Sequence, residues 1–90
     1  MAVQIILHKT HRQYTGGQET VAVGGRTVGE CLKDLIRQYP PLEKEIFGKN
    51  GKLSGIVEVY LNGASAYPDE LAKSVKDGDT IQLVYFLAGG

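Results

Sequence analysis

Ninety residues contain one cysteine, one methionine, three prolines and no tryptophan. A single cysteine forms neither an internal disulfide nor a thiolate cluster for a metal, so a disulfide-stapled secreted scaffold is excluded. Charge of one sign is also missing, because ten basic and ten acidic side chains cancel when the histidines are neutral. No cationic surface is on offer to a phosphate backbone, and no nucleic-acid partner is expected. The first apolar run, residues 3–7, is interrupted by Gln4 and is too short for a signal-peptide core. No segment approaches the ~18 apolar residues of a membrane span. These absences together predict a cytoplasmic protein with no membrane association.

What is present suits one small folded unit. Apolar residues make up 42% and charged residues 22%, a composition that folds instead of remaining disordered. A chain of this length buries only ~60–65% of its unfolded surface, enough for one core and no deep cleft. The expected organisation is a single domain over residues 1–87 followed by a tail, Ala88-Gly89-Gly90, with nothing to pack against.

Residues 3–7 are β-branched and aliphatic and read as a strand that can extend to His8. Residues 9–18 are polar and read as a long connection containing Gly16-Gly17, before a second strand over residues 20–23. The best-specified element follows Gly25. Thr27 and Glu30 form a capping box, and Val28, Leu32, Leu35, Ile36 and Tyr39, with Cys31 beside them, make one apolar stripe at helical spacing. Lys33, Asp34, Arg37 and Gln38 fall outside it, and Pro40-Pro41 stops the helix at residue 39. Leu42, Ile46 and Phe47 suit a short second helix, and residues 48–52 a polar loop with Asn50-Gly51 at its centre. A third strand is expected over residues 56–61, with Val57, Val59 and Leu61 on one face. Asn62-Gly63 then turns the chain into a minimal edge strand over residues 64–67. Pro68-Asp69-Glu70-Leu71 suits a helical turn, and Asp77-Gly78-Asp79 turns the chain into a last strand over residues 80–87. The order predicts an α+β fold: a mixed sheet of four to five strands on one main helix, with a parallel pairing of first and last strands a reasonable arrangement.

Chemistry-bearing residues are sparse. Cys31 lies on or beside the buried stripe, which favours a small buried hydrophobe over a nucleophile. His8 and His11 read as surface or turn histidines, since a metal would need both on one face and a third ligand. The glycine pairs at 16–17 and 24–25 lack the lysine and hydroxyl residue of a phosphate loop, and Asp77 and Asp79 flank a turn. No catalytic residues are assigned, no bound cofactor is expected, and the chain is not expected to be an enzyme. The end of the sequence stands apart. Two residues without side chains before a carboxylate form a thread narrow enough to enter another protein's channel. In the last strand Ile81, Leu83, Tyr85 and Leu87 alternate onto one face, with Val84 and Phe86 on the other. One helix does not cover both faces, so Val84 and Phe86 are candidates for an apolar docking patch leading to the tail, unless residues 40–55 cover them.

Gly25-Arg26-Thr27-Val28, Leu32-x-x-Leu35, Tyr39-Pro40, Val57-x-Val59-x-Leu61-Asn62-Gly63, Val75-Lys76-Asp77-Gly78-Asp79 and the closing Ala88-Gly89-Gly90 occur in an order that resembles the β-grasp sulfur carriers. These form the ThiS and MoaD superfamily, related to ubiquitin. The resemblance implies a β-grasp fold and a tail chemistry in which a partner, an E1-like adenylating enzyme, uses ATP to adenylate the Gly90 carboxylate. Sulfur then displaces AMP and leaves a thiocarboxylate for a sulfur-accepting synthase. It implies attachment at Gly90, threading through Gly89 and Ala88, and docking through Val84, Phe86 and Leu87. Thr15-Gly16-Gly17-Gln18 and Gly51-Lys52-Leu53 are similar to the cysteine-biosynthesis carriers of actinobacteria, whose acceptor is cysteine synthase-like. The long helix with Tyr39-Pro40 looks like the carriers that serve the molybdopterin synthase large subunit. The same resemblance leaves open a ubiquitin-like modifier conjugated through Gly90, and a non-covalent binding module is the remaining alternative.

Overall fold

A computed structural model describes residues 2–48 and 51–85 of the chain. Phe86, Leu87, Ala88, Gly89 and Gly90, with Lys49 and Asn50, lie outside the described residues. The elements are β1 (Val3–Ile6), a 3-10 helix (Lys9–Thr15), β2 (Thr20–Val23), α1 (Val28–Gln38), a 3-10 turn (Pro40–Leu42), α2 (Glu43–Ile46), β3 (Val57–Leu61), β4 (Ala64–Ser65), a 3-10 turn (Glu70–Ala72) and β5 (Thr80–Tyr85). Together they form the expected β-grasp fold, with a five-stranded sheet in the order β2-β1-β5-β3-β4.

β1 and β5 are parallel neighbours at the centre, with Gln4 opposite Thr80, Ile5 opposite Ile81 and Ile6 opposite Gln82. β2 lies antiparallel to β1, and β3 antiparallel to β5 with Val59 opposite Leu83. Because side chains alternate along a strand, this register puts Val3, Ile5, Val21, Val23, Val57, Val59, Ile81 and Leu83 on one face, and all are buried. That face meets Val28, Cys31, Leu32 and Leu35 of α1, also buried, with Leu42, Ile46 and Ala66 filling the margin. Gln4, Ala22, Glu58 and Gln82 point the other way and are exposed.

α1 begins where its cap lies. Thr27 Oγ1 accepts from the Glu30 amide at 3.1 Å, and Glu30 Oε1 accepts from the Arg26 amide at 2.8 Å. The reciprocal half of the box therefore serves Arg26, one residue before the cap, and not Thr27 itself. Two residues outside the apolar stripe tie the helix to β2: Asp34 Oδ2 accepts from the Gly24 amide at 2.9 Å, and Gln38 Nε2 donates to Ala22 O at 3.1 Å. Gly25 has no room for a side chain, since a Cβ there would stand 2.9 Å from the Cys31 amide nitrogen. Gly29 likewise lets α1 approach Leu71, whose carbonyl oxygen would lie 3.1 Å from an added Cβ.

Several boundaries differ from those the sequence suggests. α1 ends at Gln38, and Tyr39 is its cap, because the residue before a proline is driven out of the helical region. The two prolines do not end helicity; they open the 3-10 turn that leads into α2. β3 starts at Val57, one residue late, and Leu61 is only half-buried at its end. The edge strand contracts to Ala64–Ser65, after which Ala66 turns inward to the core. The expected helical turn at 68–71 appears as Glu70–Ala72. The expected extension of β5 through residue 87 lies outside the described residues.

The largest change is at 9–18. That polar stretch is not an irregular connection, because residues 9–15 coil into a 3-10 helix. His8 caps it through Nδ1, which accepts from the Thr10 amide at 3.2 Å, and Gly16 ends it at φ 67°. Thr15 is buried, its Oγ1 lying 3.1 Å from Arg12 O and 2.9 Å from Gln18 O. Hydrogen bonds inside the turn replace the ladder that a longer hairpin would have supplied.

Leu35 is fully buried between α1 and the sheet. Leu35→Ala is expected to cost about 2–5 kcal/mol, and Thr27→Ala, through loss of the cap, about 1 kcal/mol. Urea unfolding should show both as lower midpoints at an unchanged slope.

Candidate functional site

The parallel ladder determines what surrounds the end of β5. With Ile6 opposite Gln82, the residues after Ile6 run alongside those after Gln82. Leu7 and His8 therefore run on alongside Leu83 and Val84, and the 3-10 helix turns His11 onto Tyr85. Their ring centroids are 4.8 Å apart with the planes at 82°. His8 stands 6.1 Å from Tyr85 and 6.2 Å from His11, completing a three-ring cluster around Tyr85 of β5.

His11 is 1% exposed, and neither Nδ1 nor Nε2 has a hydrogen-bond partner. The expectation of a surface histidine is corrected here: the 3-10 helix folds its ring back over the core end of β5. Burial pushes its pKa below the usual histidine range, His8 adds to that effect, and the Glu45 carboxylate of α2 opposes it. Glu45 also faces Tyr14, whose phenol is pushed above its ordinary value first by burial and then by that carboxylate. Sequence reasoning missed this cluster. The available signal was His11 and Tyr14 at i, i+3, a helical spacing hidden inside a polar segment.

The other chemistry-bearing residues have structural roles. Cys31 is fully buried, and its thiol pKa is raised by burial and by Asp34 and Glu30, the reverse of what a nucleophile needs. Asp79 holds the turn into β5: Oδ2 accepts from the Lys76 amide at 2.9 Å and Oδ1 from Asn62 Nδ2 at 3.1 Å. Those bonds lower its pKa. Among the described residues, no three or more His, Cys, Asp and Glu gather where they could hold a metal ion. Among them, too, no helix is long and apolar enough to cross a membrane.

Of the residues singled out for docking, Val84 is half-buried opposite Glu58, on the face away from α1. Ile6 and Tyr60, half-buried too, share that face by alternation. Leu42 and Ile46, from the segment named as the alternative cover for Val84, join the buried cluster that contains Ile81 and Leu83. Phe86 and Leu87, and the tail residues Ala88, Gly89 and Gly90, lie outside the described residues.

The ThiS family model matches residues 5–90. The sulfur carrier protein CysO of Mycobacterium tuberculosis is 30% identical over 93 residues, covering 100% of both chains. Small archaeal modifier protein 1 of Haloferax volcanii is 35% identical over 77 residues, covering 82% of this chain and 85% of that protein. Among solved structures, the crystal structure of the Amycolatopsis orientalis BexX/CysO complex superposes with a TM-score of 0.87 at 32% identity, covering 99% of this chain and 100% of that one.

The buried imidazole has a consequence for stability. Its folded pKa lies below 6.5, so as pH falls past about 6.5 the unfolded chain takes up a proton that the folded chain refuses. Folded-state stability is therefore lost as pH falls from 6.5 through the folded pKa. Asp34 and Asp79, with lowered carboxyl pKa values, lose their contribution only below 3.8. The difference between wild type and His11→Phe in urea midpoint should shift in favour of the variant between about pH 7.5 and pH 5.5.

Proposed function

The chain belongs to the ThiS family of sulfur carrier proteins, and from that premise we propose that Gly90 is the residue through which it carries sulfur. The observation that supports this reading most is the family match running to residue 90, where the sequence reads Ala88-Gly89-Gly90. In this reading residues 1–87 are one folded body and 88–90 a tail.

A carboxylate is a poor electrophile because no good leaving group departs from it. Attack of a Gly90 carboxylate oxygen on the α-phosphorus of ATP expels pyrophosphate and creates an acyl adenylate. A sulfur nucleophile at the acyl carbon then expels AMP. If that sulfur arrives as a persulfide, a second thiol cleaves the remaining S–S bond and frees the thiocarboxylate. The carrier is the cosubstrate of this chemistry and not its catalyst. ATP and sulfur enter through the partners: an E1-like adenylating enzyme first, a sulfur-accepting synthase after it. Gly89 and Ala88 give the thread its narrow section, and Val84, Phe86 and Leu87 form the docking surface that leads to it.

The likenesses to CysO proteins support a cysteine synthase-like acceptor over the molybdopterin synthase large subunit, and in this reading the carrier works in the cytoplasm. A second reading has its own support. The 35% identity to a small archaeal modifier protein favours conjugation of the same Gly90 carboxyl to protein lysines.

Incubation of the chain with an activating enzyme of its own organism, ATP and a sulfur donor should raise the intact mass by the difference between sulfur and oxygen. The chain lacking Gly90 should gain nothing. An unchanged mass for the full chain contradicts the carrier reading, and lysine-linked species lost with Gly90 support the modifier.

A further inference from the structure

A neutral imidazole carries one N–H and one lone pair, and burying both without partners leaves the loss of their hydration uncompensated. His11 is in that position, 1% exposed with both ring nitrogens unpartnered. A phenylalanine would fill similar space without the penalty, so packing alone does not account for a histidine here. Its principal ring contact is with Tyr85, edge to face at 4.8 Å.

We propose that His11 is a positioning residue for the carrier reaction: its uncharged ring grips Tyr85 and holds the root of the tail, and a proton on that ring releases it. This inference rests on the reading of the tail as the reacting segment. Three facts place the device where it can act. The grip falls on Tyr85 of β5, five residues before Gly90 in sequence. Tyr85 is only half-buried, so its ring has room to swing outward when the contact fails. His11 comes from the 3-10 helix and not from the sheet, so it can move without breaking the β1–β5 ladder.

The charges around the ring set the direction. Glu45 of α2 is the carboxylate that attracts a protonated His11, and His8, at the start of the 3-10 helix, opposes it when charged. Tyr14 shares the Glu45 carboxylate from the same 3-10 helix, and Tyr85 is the titratable group on β5. With neither nitrogen reaching water, the charged ring gains solvation only by leaving its site, and leaving means releasing Tyr85. A held root lowers the ordering cost of docking the tail into a partner, and a released root restores that cost. Below the His11 pKa the gripping form falls about tenfold per pH unit, and the apparent KM for the carrier rises with its loss until it levels off at the value of the released form.

Two measurements test this. The first follows the His11, His8 and Tyr85 ring signals of the wild-type chain by NMR from about pH 8 to pH 5. The Tyr85 ring and the amides of residues 84–86 should shift with the midpoint of His11 and not with that of His8. Titration of His11 without movement of Tyr85 overturns the proposal. The second measures ATP–pyrophosphate exchange by an activating enzyme of the same organism, with wild type and His11→Phe as substrates. The ratio of their KM values should climb toward acid pH, with the kcat ratio flat. A KM ratio independent of pH overturns the proposal. Should neither chain support exchange at any pH, the fault lies with the carrier reading, and the NMR titration still decides whether His11 grips Tyr85.

Discussion

The parallel pairing of β1 with β5 is the constraint on which the rest of the structure depends. It puts the last strand at the centre of the sheet, between β1 and β3, so both backbone edges of β5 are hydrogen-bonded. A parallel neighbour requires a long crossover, and the chain between the two strands contains α1, which covers the core face. The same pairing brings the end of β1 alongside β5, so the 3-10 helix with His8 and His11 packs against Tyr85. A terminus leaving from an edge strand would have less support than one leaving from the middle of a sheet.

This arrangement suits a protein whose chemistry is carried out by others. Ile5, Leu32, Leu35, Ile81 and Leu83 are committed to one core, and Cys31 is sealed among them with a raised thiol pKa. Asp34 and Asp79, the carboxylates with lowered pKa values, are occupied with backbone amides: Gly24, just after β2, and Lys76, in the turn into β5. Their negative charges serve the fold. On the face away from α1, which the proposed docking uses, Ile6, Tyr60 and Val84 are half-buried among polar neighbours.

Much of the fold was legible in the sequence because its strongest signals are local. The stripe from Val28 to Leu35 with Thr27 and Glu30 ahead of it defines α1, and alternation in Val57, Val59, Ile81 and Leu83 defines the buried sheet face. Residues 9–15 were illegible as a helix because the 3-10 turn contains no aliphatic residue, and its burial comes from His11, Thr15 and part of Tyr14. The role of His11 depends on Tyr85, seventy-four residues away in sequence, which only the β1–β5 register brings into contact. The diglycine end on which the proposed function rests is plain from residue type alone. The half-burial of Val84, a compromise between sheet pairing and an uncovered face, was visible only in the folded chain.

In the proposed carrier reaction a terminal glycine carboxylate is the chemical handle, and the Gly89-Gly90 thread without side chains presents it. The most direct measurement is ATP–pyrophosphate exchange by an activating enzyme of the same organism on two substrates: the chain ending at Gly90, and the same chain with one alanine appended. Exchange with the first and its loss with the second is the predicted result. Equal exchange with both would contradict the claim.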